Sequence, residues 1–234
     1  PATDIFIGDY NRRVSYLATG ITIQKLTIQH GFYGLHGSFA LGVADNAAGT
    51  ELALRCLGNQ GMLLGADNGQ YDTITIDHVG PPQWYSATSY GSLWWPLYSE
   101  NPCQPSGSLT TNGQTHGVYF SGTNADFFQL SITNCAYGAA FQGYPAPSGT
   151  TVRGCYFEGK TYFDGDDNLF YNNIVVCART GSLQWAFNSV TSSNLHMENN
   201  YIHADITGTG GACAFGGGGN VAGLKFRNNI VVSE

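Results

Sequence analysis

LHMENNYIHADI, residues 195–206, sets a doubled asparagine inside an alternating apolar run. Close copies flank it: LFYNNIVV at 169–176 and LKFRNNIVV at 224–232. In each copy an apolar residue stands two places before the first Asn (Phe170, Met197, Phe226). A branched one stands two places after the second (Val175, Ile202, Val231). The same frame extends upstream through Ile28, Leu54, Ile76, Ile132 and Val152, so the anchors recur at intervals of 18 to 29 residues, apart from one of 56. A second apolar column, Leu64, Phe120, Phe141, Phe163, Phe187 and Phe215, precedes the anchors by 7 to 12 residues. Turn residues lie between the columns, as in GADNGQ, SGTNAD and DGDDN.

Short apolar runs punctuated by Gly, Asn and Asp read as strands and turns. A period of this length reads as a stack of repeating coils. One coil cannot bury its own apolar side, but coils stacked about 4.8 Å apart place like residues over like and share a core. Asn tolerates a left-handed backbone, and its amide can bond its counterpart in the next coil. Asn172, Asn199 and Asn228 are therefore expected to form a structural ladder at a tight corner. The fold predicted is all-β: a single-chain β-solenoid of at least eight coils, one domain over 1–234, with a long insertion at 80–115.

The pattern apolar–x–apolar–x–Asn–Asn–x–[Ile/Val] resembles the right-handed parallel β-helix of the pectin-lyase-like superfamily. That superfamily includes pectate and pectin lyases, polygalacturonases, alginate-acting enzymes and trimeric phage tailspikes. The resemblance covers roughly residues 20–234 outside the insertion and implies the handedness. It also implies a carbohydrate-engaging protein of the tailspike or glycan-depolymerase type, extracellular or on a virion surface and a candidate homotrimer.

Composition narrows the partners. Only 11% of residues are charged, with 32 glycines, 13% aromatics and a net charge of −7. An acidic chain is a poor match for nucleic acid. No apolar run is long enough to span a bilayer. The opening PATDIFIGDYNRR lacks the pattern of a signal peptide, and the absence of an initiator Met leads us to expect a segment of a longer chain. Six cysteines (56, 103, 135, 155, 177, 213) show no zinc spacing and read as thiols filling the core. His30 and His78 fall in the corner column and read as turn residues.

The residue after each anchor should face outward, giving Gln29, Arg55, Asp77, Thr133, Arg153, Tyr171, Glu198 and Arg227, with His196 and Lys225 two places earlier. Arg153, Tyr171, His196 and Arg227 are candidate substrate-binding residues on successive rungs; the alternative is a solvated face with cross-strand ion pairs. The insertion adds Trp84, Tyr85, Tyr90, Trp94, Trp95 and Tyr98, whose rings suit pyranose stacking, packing on the solenoid, or a subunit interface. Candidate catalytic carboxylates are Glu198, Glu158, Asp166 and Asp167, the last two equally well read as turn residues. On this frame Asp77 and Glu198 lie at least four rungs apart, about 19 Å, too far for an inverting pair.

The resemblance to lyases implies calcium-binding carboxylates beside a base. Here Arg153 and Arg227 are the only plausible bases on the face and no acidic cluster adjoins them, so no cofactor is expected beyond a weak case for Ca²⁺. Hydrolase, lyase and binding-only chemistry stay open, with a non-catalytic adhesive stalk and a uronate lyase or epimerase as the competing readings.

Overall fold

A computed structural model describes residues 14–16, 19–29, 33–37, 45–57, 60–79, 116–135, 139–180, 185–207, 213–217 and 221–233. Each coil starts with one short strand of sheet A. These strands are Val14–Tyr16, Tyr33–Gly37, Gln60–Leu64, His116–Phe120, Ala139–Gly143, Lys160–Phe163, Trp185–Ser189 and Cys213–Gly217. They pair in parallel in that order, which gives eight coils, numbered here 1 to 8. The chain then turns into sheet B. In coils 1 to 3 it runs there as one long strand: Thr22–Gln29, Ala48–Leu57 or Gln70–Val79. From coil 4 onward that strand divides into a leading and a trailing leg, beginning with Asp126–Phe128 and Ser131–Cys135. Every pairing in both sheets joins one coil to the next in parallel, as in Arg153↔Tyr171↔Glu198↔Arg227. The molecule is a parallel β-solenoid. The insertion leaves coil 3 after Val79 and rejoins at His116, the first sheet A residue of coil 4.

Two columns of left-handed residues bend every coil. One enters sheet B and holds Gly20, Asn46, Asn68, Asn124, Gly149, Asp167, Asn194 and Gly223. The other divides sheet B and holds Lys25, Glu51, Thr73, Gln129, Gly154, Asn172, Asn199 and Asn228. The first of each asparagine pair takes the strained backbone, as its short amide side chain permits. The hydrogen-bonded ladder, however, runs through the second. Asn173 N–H donates to Asn200 Oδ1 (2.9 Å) and Asn200 N–H to Asn229 Oδ1 (2.9 Å), while Asn200 Nδ2 reaches back to the Phe170 carbonyl (2.9 Å). Asn173 and Asn200 are buried, whereas Asn172 and Asn199 are exposed. The expected ladder thus moves one residue along, because only the inward-facing amide can reach the neighbouring coil's backbone without competition from water.

The expected anchor column is correct within each half and breaks between them. Ile28, Leu54, Ile76 and Ile132 pair successively on the trailing side of sheet B, and Ile132 continues to Phe157. Val152, Phe170, Met197 and Phe226 lie instead on the leading leg, where Val152 pairs upstream with Phe127. Asp77 and Glu198 therefore sit on different legs. The second column also mixes two positions: Phe141 pairs with Val118 and Thr161, whereas Phe120 and Phe163 both pair with Gly143. A Cβ at Gly143 would come within 2.7 Å of the Phe163 ring, so ring and glycine alternate to fill one space. Inside, rings form a continuous file: Tyr71–Phe127 (5.0 Å), Phe127–Phe141 (5.1 Å), Phe141–Phe157 (5.5 Å), Phe157–Phe170 (6.1 Å) and Phe170–Phe187 (5.0 Å).

Candidate functional site

The outer face of sheet A carries a group of outward aromatics. Tyr119, Gln142, Tyr162 and Asn188 are in register on coils 4 to 7. Alternation sends Tyr119, Gln142 and Tyr162 out, because Val118, Phe120, Phe141 and Phe163 beside them fill the core, whereas Asn188 is buried. Tyr144 follows the coil 5 strand, is 43% exposed, and meets the Tyr162 ring edge-on at 6.1 Å and 62°. Three tyrosines therefore occupy three successive coils.

Asp164 holds Tyr162 in place. Its Oδ1 accepts the backbone N–H groups of Val190 (2.7 Å) and Thr191 (3.0 Å), and its Oδ2 accepts the Tyr162 hydroxyl (2.7 Å). Burial pushes the Tyr162 phenol well up, and the bond to Asp164 and its negative charge push the same way. Burial and nearby Tyr144 also raise Tyr119. The Tyr119 and Tyr162 phenols stay neutral, so they offer apolar ring faces, with the Tyr162 hydroxyl fixed by Asp164. None of these tyrosines was anticipated. The usable signal was their position one residue before Phe120 and Phe163 of the second apolar column.

Sheet B carries the expected outward row in part. Arg153, Tyr171, Glu198 and Arg227 stand on coils 5 to 8, with His196 and Lys225 paired two residues before the last two. Upstream the row continues through Phe128 and Asp72 rather than Thr133, because of the change of leg. Arg153 does not stand free in solvent. Its Nε and Nη2 donate to both oxygens of Asp126 (3.0 and 2.8 Å), and its guanidinium lies 4.0 Å over the Phe128 ring. The bond to Asp126 raises its pKa further, which opposes loss of its proton. Beside it opens a cleft of about 220 Å³ lined by Thr50, Gln70, Tyr71, Asp72, Asp126 and Phe128 among others.

The other candidate acids are dispersed. Asp166 and Asp167 stand at the corner entering sheet B, where Asp166 Oδ1 accepts the Ser193 N–H (3.0 Å) and Asp167 Oδ1 the Asn194 amide (2.9 Å). Glu158 ends a trailing leg and Glu198 a leading leg. Asp77 accepts from His78 Nδ1 (2.6 Å), Thr133 Oγ1 (2.7 Å) and Asn134 Nδ2 (2.8 Å). Burial raises its pKa, but these bonds outweigh it and the net direction is down. Among the described residues no three His, Cys, Asp or Glu side chains converge as metal ligands. Trp84, Tyr85, Tyr90, Trp94, Trp95 and Tyr98 lie outside the described residues.

Stacked parallel coils with asparagine-marked corners define an architecture, and a comparison of the sequence with family models agrees. The model for "Right handed beta helix region" matches residues 100–234. The chain belongs to the right-handed β-helix family. A solved structure of an alginate lyase from Paenibacillus sp. str. FPU-7 resembles this β-helix over 95% of the present chain and 74% of its own, at 17% identity and a TM-score of 0.49. That likeness concerns shape alone. Comparison with curated proteins gives no match. Among the described residues of the β-helix, no helix is long and apolar enough to cross a membrane.

Proposed function

We propose that this β-helix binds a polysaccharide along the outer face of sheet A. The observation that carries the reading is the row of Tyr119, Tyr144 and Tyr162 on successive coils, with Tyr162 pinned by the buried Asp164. Coils repeat about every 4.8 Å, so neighbouring rungs can address neighbouring parts of one extended chain. Tyrosine rings stack on the C–H faces of sugars, and their hydroxyls bond sugar hydroxyl groups. The aromatic insertion rejoins the solenoid at the start of the strand that carries Tyr119, which makes its Trp and Tyr side chains further candidates for the same ligand. This role would place the protein outside the cell or on a virion surface.

Electrophoresis through gels cast with neutral and acidic polysaccharides tests the reading, together with chromatographic sizing of each polymer after incubation. The wild type should be retarded by at least one polymer, and Tyr144→Ala and Tyr162→Ala should each weaken that retardation roughly tenfold. If no polymer retards the protein or loses length, the reading is wrong. Loss of length would make the protein a depolymerase.

A second reading, a self-associating stalk without catalysis, draws on a different face. Tyr156, Ile174, Tyr201 and Ile230 form an outward column on the trailing legs of coils 5 to 8, 36%, 44%, 36% and 61% exposed. Light scattering decides this reading: a particle that stays monomeric at all concentrations removes the stalk and the homotrimer together.

A further inference from the structure

The cleft on the leading side of sheet B is separate from the tyrosine row. It spans coils 2 to 5, and its walls come from Ala48, Gly49, Thr50, Gln70, Tyr71, Asp72, Asp126, Phe128 and Arg153. At about 220 Å³ it falls below the roughly 300–1,000 Å³ of pockets for drug-sized ligands. That space suits one ring rather than a chain.

Its chemistry is mixed in a particular way. Asp126 occupies two donors of Arg153, leaving Nη1 without a partner among the described contacts. Asp72, whose charge acts on the same guanidinium, bonds Thr73 Oγ1 (2.8 Å) through Oδ1, and among the described residues its second oxygen is unengaged. A carboxylate oxygen that accepts and a guanidinium that donates therefore face one cleft with the Thr50 hydroxyl and the Gln70 amide. Adjacent hydroxyls on a ring supply both a donor and an acceptor, which is the complement of such a pair. Two carboxylates against one guanidinium disfavour an anionic ligand.

We propose that this cleft is a second ligand site that takes a single neutral pyranose unit through vicinal hydroxyls, with Asp72 accepting and Arg153 donating. The proposal rests on reading the protein as a glycan binder, but it concerns a different face and a different size of ligand. Asp72→Asn keeps the shape and the Thr73 contact while removing the charged acceptor, and Thr50→Trp fills the space.

The test titrates wild type, Asp72→Asn, Thr50→Trp and Tyr162→Ala with the methyl glycosides of glucose, galactose, mannose and N-acetylglucosamine. Glucuronate and galacturonate form the acidic arm, and binding is read by calorimetry and by ligand-observed NMR. At least one neutral glycoside should bind the wild type, about tenfold more weakly to Asp72→Asn, and not at all to Thr50→Trp. Uronates should bind more weakly than their neutral counterparts. The proposal is overturned if no neutral glycoside binds, if Asp72→Asn binds as well as wild type, or if uronates bind as tightly. Polysaccharide retardation that survives in Asp72→Asn but fails in Tyr162→Ala would keep the sheet A reading whatever happens at the cleft.

Discussion

Coils 1 to 4 and coils 5 to 8 solve the same corner by different chemistry. The position after the left-handed residue of sheet B reads Leu26, Leu52, Ile74 and Leu130 in the first set, and Cys155, Asn173, Asn200 and Asn229 in the second. In the first set the bend is carried by Lys25, Glu51, Thr73 and Gln129, side chains with no liking for a positive φ, and packing of the buried Leu52, Ile74 and Leu130 holds it in coils 2 to 4. In the second set the bend falls on Gly154 and three asparagines, and a file of amides bonds coil to coil behind it. Cys155 marks the changeover. Its N–H donates to Asn173 Oδ1 (2.9 Å) and its thiol to the Phe127 carbonyl (3.6 Å), the counterpart of the bond from Asn173 Nδ2 to the Val152 carbonyl (2.9 Å). Burial pushes that thiol up to about 12, so it acts as a weak amide substitute and not as a nucleophile. A solenoid corner thus needs a left-handed residue in every coil, but what backs it is interchangeable only for whole runs of coils.

Swapping a single rung should break this arrangement most severely. Asn200→Leu leaves the buried Asn173 N–H and the Phe170 carbonyl unpartnered and should cost about 4 kcal/mol, since each orphaned buried group costs about 1–3 kcal/mol. Leu52→Asn, the reciprocal change, inserts an amide between two aliphatic neighbours and should also destabilise, by about 3 kcal/mol. Denaturant unfolding of both variants is the measurement. A tolerated Asn200→Leu would mean that the amide file is decoration and the two halves are equivalent.

The junction between the halves should respond to pH. His116 opens coil 4 directly after the insertion, is buried, and accepts the Ala139 N–H at Nδ1 (3.1 Å). Burial, helped by the charge of Lys160, lowers its pKa from 6.5 to about 4. Between those values the unfolded chain binds a proton that the folded chain refuses. This contribution to stability is therefore complete above 6.5 and is lost as pH falls towards 4. At 1.36 kcal/mol per unit its upper bound is about 3 kcal/mol. His116→Gln retains an acceptor for Ala139 but cannot titrate, so its stability should vary less than the wild type's between pH 7 and pH 4. Equal slopes for the two proteins would refute the assignment.

The period, the corners and the stacked apolar columns were legible because they depend on residue type at a fixed place in every coil. Registration across the middle was not. Each coil from the fourth onward offers two inward apolar residues five positions apart, such as Val152 and Phe157, and coil lengths vary by more than five. A step from Ile132 to Val152 therefore looks as good as the true step to Phe157. The four-rung row from Arg153 to Arg227 survived because it lies wholly on one side of that slip. The Asp126 partner that occupies Arg153 was invisible for the same reason, since it belongs to the coil before the slip. The sheet A tyrosines escaped notice because Tyr144 sits beyond its strand and only Tyr119 and Tyr162 keep the frame. The task of Asp164, receiving two N–H groups from the next coil, depends on a contact 26 residues away.

The subtlest difference between the halves is the left-handed residue itself. Thr73 holds φ +54° with a β-branched side chain, while Asn199 holds φ +57° with a side chain suited to it. Left-handed backbone costs an ordinary residue about 1–2 kcal/mol and asparagine less. Thr73→Asn should therefore stabilise by about 1 kcal/mol, and Asn199→Thr should destabilise by about the same amount, although both side chains are exposed. In a chain of this size each change corresponds to about 2–4 °C in Tm, in opposite directions. Thr73 Oγ1 donates to Asp72 Oδ1 (2.8 Å), and an asparagine amide at that position can also donate to it, so loss of that bond does not mask the gain. Calorimetry of the two variants and their combination isolates the backbone effect, because the sites are far enough apart for the changes to add. If Thr73→Asn lowers Tm, the N-terminal corners are not merely tolerating a poor residue but are built around one, and the two halves differ in backbone strain as well as in what lies behind it.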